Sequence, residues 1–396
     1  MPLRLADKMT TLGTETAFEV LARATALAQS GRDIVNLGIG QPDFPTPPHV
    51  VEAAVRALRD GHHGYTPANG ILALREAVAA DIRKWRKAEI DPGNVLIVPG
   101  GKVTMFFAIV MFGEPGAEIM YPNPGFPIYE SVIRWTGATP VPIPLKEATG
   151  FSFSAAEVLA KITSRTRLII VNSPANPTGG VVPKAELDAL AAGLERHPQV
   201  AVMSDEIYAR ICYDGEPHAS LLAYPALRDR LIVLDGWSKT YAMTGWRLGY
   251  GVWPKALFPH AERLAVNSHS CVNAPTQWAG IAALQGPQDA VDVMNRAFDE
   301  RRKAIVAALN AIPGFRCVMP KGAFYAFPNI AATGLGAKDV QNLLLDKAGV
   351  ATVAGTSFGA EGEGYIRFSY ANSLDNIRKA MDRIGAVMAE RNMPPD

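Results

Sequence analysis

Only three cysteines, Cys212, Cys271 and Cys317, occur in 396 residues, and they lie far apart. That spacing excludes a disulfide framework and a zinc-binding pattern; each cysteine is expected as a small covered side chain, and no metal site is expected. Charge of either sign is scarce and balanced, 39 basic against 38 acidic residues. Such a chain has no electrostatic footprint for nucleic acid or an anionic membrane, so any anion site must be local. Long hydrophobic runs are missing too. The longest mainly apolar stretch, residues 103–112, is too short to span a bilayer. The first eight residues hold no apolar core of a secretory leader. The expectation is a cytoplasmic protein without membrane or nucleic-acid partners. Repeats and low-complexity segments are absent as well.

What is present is length and hydrophobicity. Nearly half of the residues are hydrophobic, 48%, enough to bury more than one core, so two domains are expected. Residues 1–46 hold a helical pattern at 18–29, a short β-rich run at 33–37 and a Gly/Pro-rich loop. They are expected as an N-terminal arm and part of a small domain. From 47 to 285, helical segments alternate with apolar β-rich runs at 95–98, 118–121, 140–143, 167–172, 200–204, 231–235 and 247–252. Alternation of this kind predicts an α/β domain with a mostly parallel seven-stranded sheet between helices. Residues 286–396 read as the smaller α+β domain. A long helix there carries Val291, Met294, Phe298, Ile305 and Leu309 on one stripe, followed by short strands and a last helix from about residue 375.

In an open α/β sheet, ligands collect at the carboxyl ends of the strands. Several runs end in polar or glycine-rich segments: Gly100-Gly101-Lys102, Phe126, Asn176, Asp205 with Tyr208, and Ser238-Lys239. Gly100 and Gly101 before a helix can present backbone N–H groups to an anion, or can simply allow close packing. Lys239, after an apolar strand and among small residues, is either a solvated surface lysine or a buried amine of lowered basicity.

Residues 236–249, GWSKTYAMTGWRLG, resemble the cofactor-lysine signature of the class I, aspartate-type aminotransferases, fold type I pyridoxal-phosphate enzymes. LGIGQPDF at 37–44, YTPANG at 65–70, NPTG at 176–179, SDEIY at 204–208 and RFSY at 367–370 resemble the family's other blocks, in its order and at similar separations. The likeness covers nearly the whole chain. It implies pyridoxal 5'-phosphate as cofactor, held by Lys239 as a Schiff base, with the same lysine later shuttling the substrate proton.

The other roles follow from the same resemblance. Asp205 is implied to pair with the pyridine nitrogen, a contact worth roughly 4 kcal/mol in raw Coulomb terms at an effective dielectric of about 20. Tyr208 and Asn176 are implied to hold the phenolic oxygen, and Phe126 to stack on the ring. Many relatives carry tryptophan at the position of Phe126 and serine at that of Gly236, so one phosphate contact is missing from the pattern. Arg247, Ser238 and the N–H groups of Gly101 and Lys102 are implied to cradle the phosphate. Tyr65 matches a tyrosine that reaches the neighbouring subunit, which implies a homodimer with shared active sites. Arg367 is implied to clamp the substrate α-carboxylate, with Ile39 and Gly40 on the substrate side.

The substrate is less sharply marked. Some dicarboxylate-specific members use an arginine of the partner subunit, but residues 267–271, NSHSC, supply none; His269 is expected on the pocket wall. Lys102 is then the candidate for a distal carboxylate, or else a support for the phosphate. Aspartate or glutamate with a 2-oxo acid is the expected substrate pair. Aminotransferase activity of broad or aromatic specificity, or carbon–sulfur β-lysis on the same fold, are the alternatives.

Overall fold

The computed structural model describes residues 3–215 and 218–391. Twelve strands occur among them: β1 (Val35–Asn36), β2 (Val95–Val98), β3 (Glu118–Asn123), β4 (Thr139–Pro144), β5 (Thr166–Asn172), β6 (Ala201–Asp205), β7 (Leu231–Gly236), β8 (Gly249–Val252), β9 (Tyr325–Ala326), β10 (Val350–Ala351), β11 (Val353–Ala354) and β12 (Ile366–Ser369). β2 to β8 form one seven-stranded sheet in the order β2-β8-β7-β6-β5-β3-β4. All its pairings are parallel except those of β8, which runs antiparallel to both neighbours.

Both faces of this sheet are covered, and the alternation of side chains along each strand explains how. Val95, Ile97, Ile169, Val171, Val202 and Val233 enter one core. Their neighbours Leu96, Val98, Leu168, Ile170, Met203, Ile232 and Leu234 enter another. Strands apolar on both faces are what the uninterrupted hydrophobic runs require.

A third core belongs to the small domain. The long helix Asp289–Ala311 contributes Met294, Phe298, Ile305 and Leu309. These pack with Phe324, Ile366, Phe368 and residues of the last helix, Leu374–Arg391. Val291 departs from the expected single stripe, because the start of that helix lies against the large core and Val291 packs there. Val35 and Leu37 return the N-terminal stretch to the small-domain core, with β1 paired to β10. β11, β12 and β9 make a separate antiparallel sheet with β12 in the middle.

Two other local expectations change. The run at 247–252 forms a strand only over Gly249–Val252, because Arg247 has a left-handed backbone, φ 54°, that breaks the extended run. Among the described residues no α-helix follows β6 before β7. The segment after Asp205 is a turn, and the connection to β7 uses two short 3-10 stretches, Leu221–Ala223 and Pro225–Arg230.

The register of β6 with β7 sets Asp205 opposite Leu234. Residues one step on, Glu206 and Asp235, therefore point to the other face. There they meet Arg86, the last residue of helix Leu72–Arg86. Its Nε donates to Glu206 at 2.7 Å and its Nη2 pairs with Asp235. Ser204 and Ser220 donate to the second Glu206 oxygen at 3.0 and 2.8 Å. Burial alone would raise the Glu206 carboxyl, but His218 and Arg86 beside it hold it well below the usual range. Removing Arg86 leaves Asp235 without a cation and Glu206 with His218 alone. Arg86→Ala should therefore destabilise the chain by about 3–5 kcal/mol, read as a lower urea midpoint, with partial recovery when Glu206→Gln is added.

Candidate active site

Sheet topology gathers the polar ends of the strands at one cavity of about 530 Å³. Its wall includes Gly101 and Lys102 after β2, Phe126 after β3, Asn172 at the end of β5 and Asn176 beyond it, Asp205 at the end of β6 and Tyr208 beyond it, and Ser238 and Lys239 after β7. Arg247 joins them from the turn before β8. Ile39 and Gly40 come from the N-terminal loop, and Tyr325 and Arg367 from the small domain. Every site residue expected from sequence faces this cavity except Tyr65. That side chain stands on the surface, 95% exposed, apart from the others within this chain. His269 is also elsewhere, stacked on Phe107 with centroids 6.1 Å apart.

Lys239 donates to the Gly40 carbonyl at 2.6 Å. The rings of Tyr208 and Phe324 lie 5.9 and 5.8 Å from its Nζ. Loss of water around the amine, together with the nearby Arg367 and Arg247 cations, lowers its pKa to about 8. Such an amine is neutral in a useful fraction of molecules at physiological pH.

Asp205 is buried, accepting from Tyr129 Oη at 2.6 Å and from the Ile207 amide at 3.2 Å. Burial pushes its pKa up to about 6, against the lowering effect of those two bonds. Among the described residues no basic side chain forms an ion pair with it. Below it, Asn172 accepts from the Asn176 amide at 3.0 Å and donates to the Asp205 carbonyl at 3.2 Å, locking two strand ends together.

Arg367 sits on the central strand β12 and is only 3% exposed, so it is no edge-strand charge. It donates to Asn176 Oδ1 at 2.8 Å and to the Gly38 carbonyl at 2.5 Å, while its Nε is enclosed without a partner. Its guanidinium lies 4.6 Å from the Tyr325 ring centroid, and Tyr325 in turn shares a 2.7 Å hydrogen bond with the Tyr208 hydroxyl.

Arg247 folds back over the start of helix Lys102–Phe112. A Cβ on Gly100 would stand 2.0 Å from Arg247 Nη2, and Gly100 has φ +92°, so only glycine fits there. The helix start thus offers unsatisfied N–H groups next to a guanidinium, a fitting cradle for a phosphate. The donor set as a whole matches pyridoxal phosphate: a phosphate cradle, a buried carboxylate lacking a cation, an amine of lowered basicity and a half-satisfied arginine.

The model of the family described as aminotransferase class I and II matches residues 32–384. The chain belongs to this family. Aspartate aminotransferase of Geobacillus stearothermophilus is 36% identical over 98% of this chain and 100% of its own. Aromatic-amino-acid aminotransferase 2 of Thermococcus litoralis is 37% identical over 93% and 95%. The solved aspartate aminotransferase of Thermus thermophilus with maleate superposes with a TM-score of 0.93 at 34% identity, covering 98% of this chain and 100% of that one. The enzyme is thus a pyridoxal-phosphate-dependent transaminase of the aspartate aminotransferase type. No helix among the described residues is long and apolar enough to cross a membrane.

Four neighbours of the site escaped the sequence reading. Tyr129 and Tyr325 are ordinary core types and Asn172 is a polar strand end, and their hydrogen bonds are visible only in three dimensions. Glu15 precedes the first long helix and reads there as a solvated acid, yet it lines the cavity.

The lowered lysine gives a direct test. In cofactor-free protein, acetic-anhydride labelling of Lys239 followed by peptide mapping should show a midpoint near pH 8, not the 10.5 of an ordinary lysine. Arg367→Leu should move that midpoint upward by removing a nearby cation. The unfolded chain binds the extra proton between these two values, so this group's contribution to stability rises with pH across that window.

Proposed function

We propose that this transaminase moves the amino group between an L-amino acid, aspartate or glutamate foremost, and a 2-oxo acid, in two half-reactions. The observation that carries this reading is Lys239, an amine of lowered basicity held at 2.6 Å from the Gly40 carbonyl, in one cavity with Asp205 and Arg367. Pyridoxal phosphate, when bound, supplies a ring that accepts the electrons left at the substrate Cα after its proton departs.

This chain's residues do the rest. Lys239 would hold the cofactor and take and return the proton at the substrate Cα. Asp205, a carboxylate lacking a cation, would keep the pyridine nitrogen protonated. Asn176 and Tyr208 would hold the phenolic oxygen, and Phe126 would cover one face of the ring. Arg247, Ser238 and the N–H groups of Gly101 and Lys102 would bind the phosphate. Arg367, with Nε free, would take the substrate α-carboxylate and fix its orientation. Ile39 and Gly40 would line the substrate side. Lys102 would receive the distal carboxylate of a dicarboxylic donor.

The exposed Tyr65 fits the same proposal if it reaches the phosphate site of a second subunit in a C2 homodimer. So does a division of the chain at residues 46 and 285 into arm, cofactor domain and small domain. Closure of the small domain over substrate would exclude water.

Borohydride treatment of the cofactor-loaded protein should place the added mass on the peptide holding Lys239, and Lys239→Ala should lose it. A full-occupancy adduct on that variant would refute the assignment. A donor panel against 2-oxoglutarate then separates the two substrate cations. Arg367→Ala should raise KM for every amino donor by roughly tenfold to a hundredfold, since charge-assisted hydrogen bonds contribute about 1.5–3 kcal/mol. Lys102→Ala should raise it for aspartate and glutamate alone. Release of pyruvate and ammonia from a cysteine conjugate, without net amino transfer, would favour β-lysis instead.

A further inference from the structure

An acidic side chain stands where the proposed distal-carboxylate subsite calls only for a cation. Glu15 occupies the N-cap position of helix Thr16–Gln29, yet its side chain makes no capping hydrogen bond. Its carboxylate turns into the cavity and pairs with the Lys102 ammonium. The Glu15 side chain is 16% exposed and that of Lys102 46%, so the acid is the more enclosed of the two. Beside the pair lies Phe126, with its ring centroid 5.3 Å from Lys102 Nζ, and Phe18 and Ile39 extend the apolar wall. Thr16 Oγ1, the next side chain along, is enclosed and has no partner.

Charge counting at this subsite distinguishes two kinds of donor. With Glu15 on Lys102 the subsite is neutral, and an aromatic or aliphatic side chain can enter without stranding an ion. A distal carboxylate cannot simply be added, because it would face Glu15 across a single cation. It has to take Glu15's place. Partly exposed ion pairs are weakly held, so this exchange of one carboxylate for another carries little cost. The displaced acid lies at the start of the helix, behind an exposed segment, and can turn to solvent.

We propose that Glu15 is an internal counter-ion for Lys102, one that lets a single pocket accept neutral donors with the pair closed and dicarboxylate donors with Glu15 displaced. The inference rests on the transaminase reading above and adds a residue that sets its specificity.

The test uses the cofactor-loaded protein and two unreactive probes, maleate and its monocarboxylate analogue crotonate, with affinities measured by calorimetry. Glu15→Gln should tighten maleate by about fivefold, the weight of a partly exposed pair of about 1 kcal/mol. Crotonate, with no second carboxylate to take Glu15's place, should not be tightened. Lys102→Gln should weaken maleate alone, and in that background Glu15→Gln should lose most of its effect. In the donor panel, Glu15→Gln should lower KM for aspartate and raise that for phenylalanine, whose ring then meets an unpaired Lys102. Weaker or unaltered maleate binding in Glu15→Gln, or equal shifts for both probes, overturns the proposal. Should Glu15→Gln fail to fold, Glu15→Asp, whose shorter side chain holds the pair less well, is held to the same criteria. Failure of the transaminase reading would look different: no donor would convert the bound cofactor, whatever the probes show.

Discussion

The register between β6 and β7 is the constraint on which the site depends. It puts Asp205 and Leu234 on the cavity side and sends Glu206 and Asp235 beneath the sheet. Three carboxylates crowded at one sheet edge would repel one another if they shared a face. Alternation separates them, and Arg86 pairs with both lower acids, with His218 beside Glu206 as well. Asp205 is then left alone above, buried and without a cation of its own. A one-residue slip would exchange the faces, placing the ion-paired acids in the cavity and the solitary one against the helix.

A second set of contacts ties the small domain to this edge. Arg367 reaches from β12 to Asn176 on the large domain and to Gly38 in the N-terminal loop. Tyr325 bridges Arg367 and Tyr208, so the same aromatic ring touches the proposed substrate cation and a proposed cofactor ligand. A Cβ on Gly40 would stand 2.1 Å from the Tyr325 hydroxyl. That explains why this loop carries glycine where its carbonyl meets Lys239. The two domains therefore meet through polar groups that the proposed substrate would also engage.

Much of this was legible in the chain. Hydrophobic runs broken by helical segments located all seven strands of the large sheet within a residue or two, because strands covered on both faces need uninterrupted apolar character. Blocks such as SDEIY and NPTG marked the site because their residue types recur in a fixed order. Arg247 broke the strand expectation through its backbone angle, which no pattern of hydrophobicity records. Tyr129 and Tyr325 read as core residues, and they are buried; only their hydroxyl partners give them another meaning. Glu15 and Lys102 lie 87 positions apart, and a long-range ion pair between single charges leaves no periodic trace. Arg86 ends helix Leu72–Arg86, where an arginine is ordinarily solvated, so its sequence position carries no sign of the buried ion pairs.

The basicity of Lys239 joins these parts into one electrostatic unit. Burial lowers it first, and Arg367 and Arg247 lower it further, while Glu15 acts in the opposite sense. Both arginines are the groups proposed to receive anions: a phosphate at Arg247 and a carboxylate at Arg367. Each anion that arrives cancels a positive charge near the amine and so restores some of its affinity for a proton. In its proposed role the amine is neutral to attack and protonated to return a proton, and a pKa of about 8 keeps both states within reach. The difference between them would be set by which anions are bound, so the chemistry of Lys239 would change with the occupancy of the cavity.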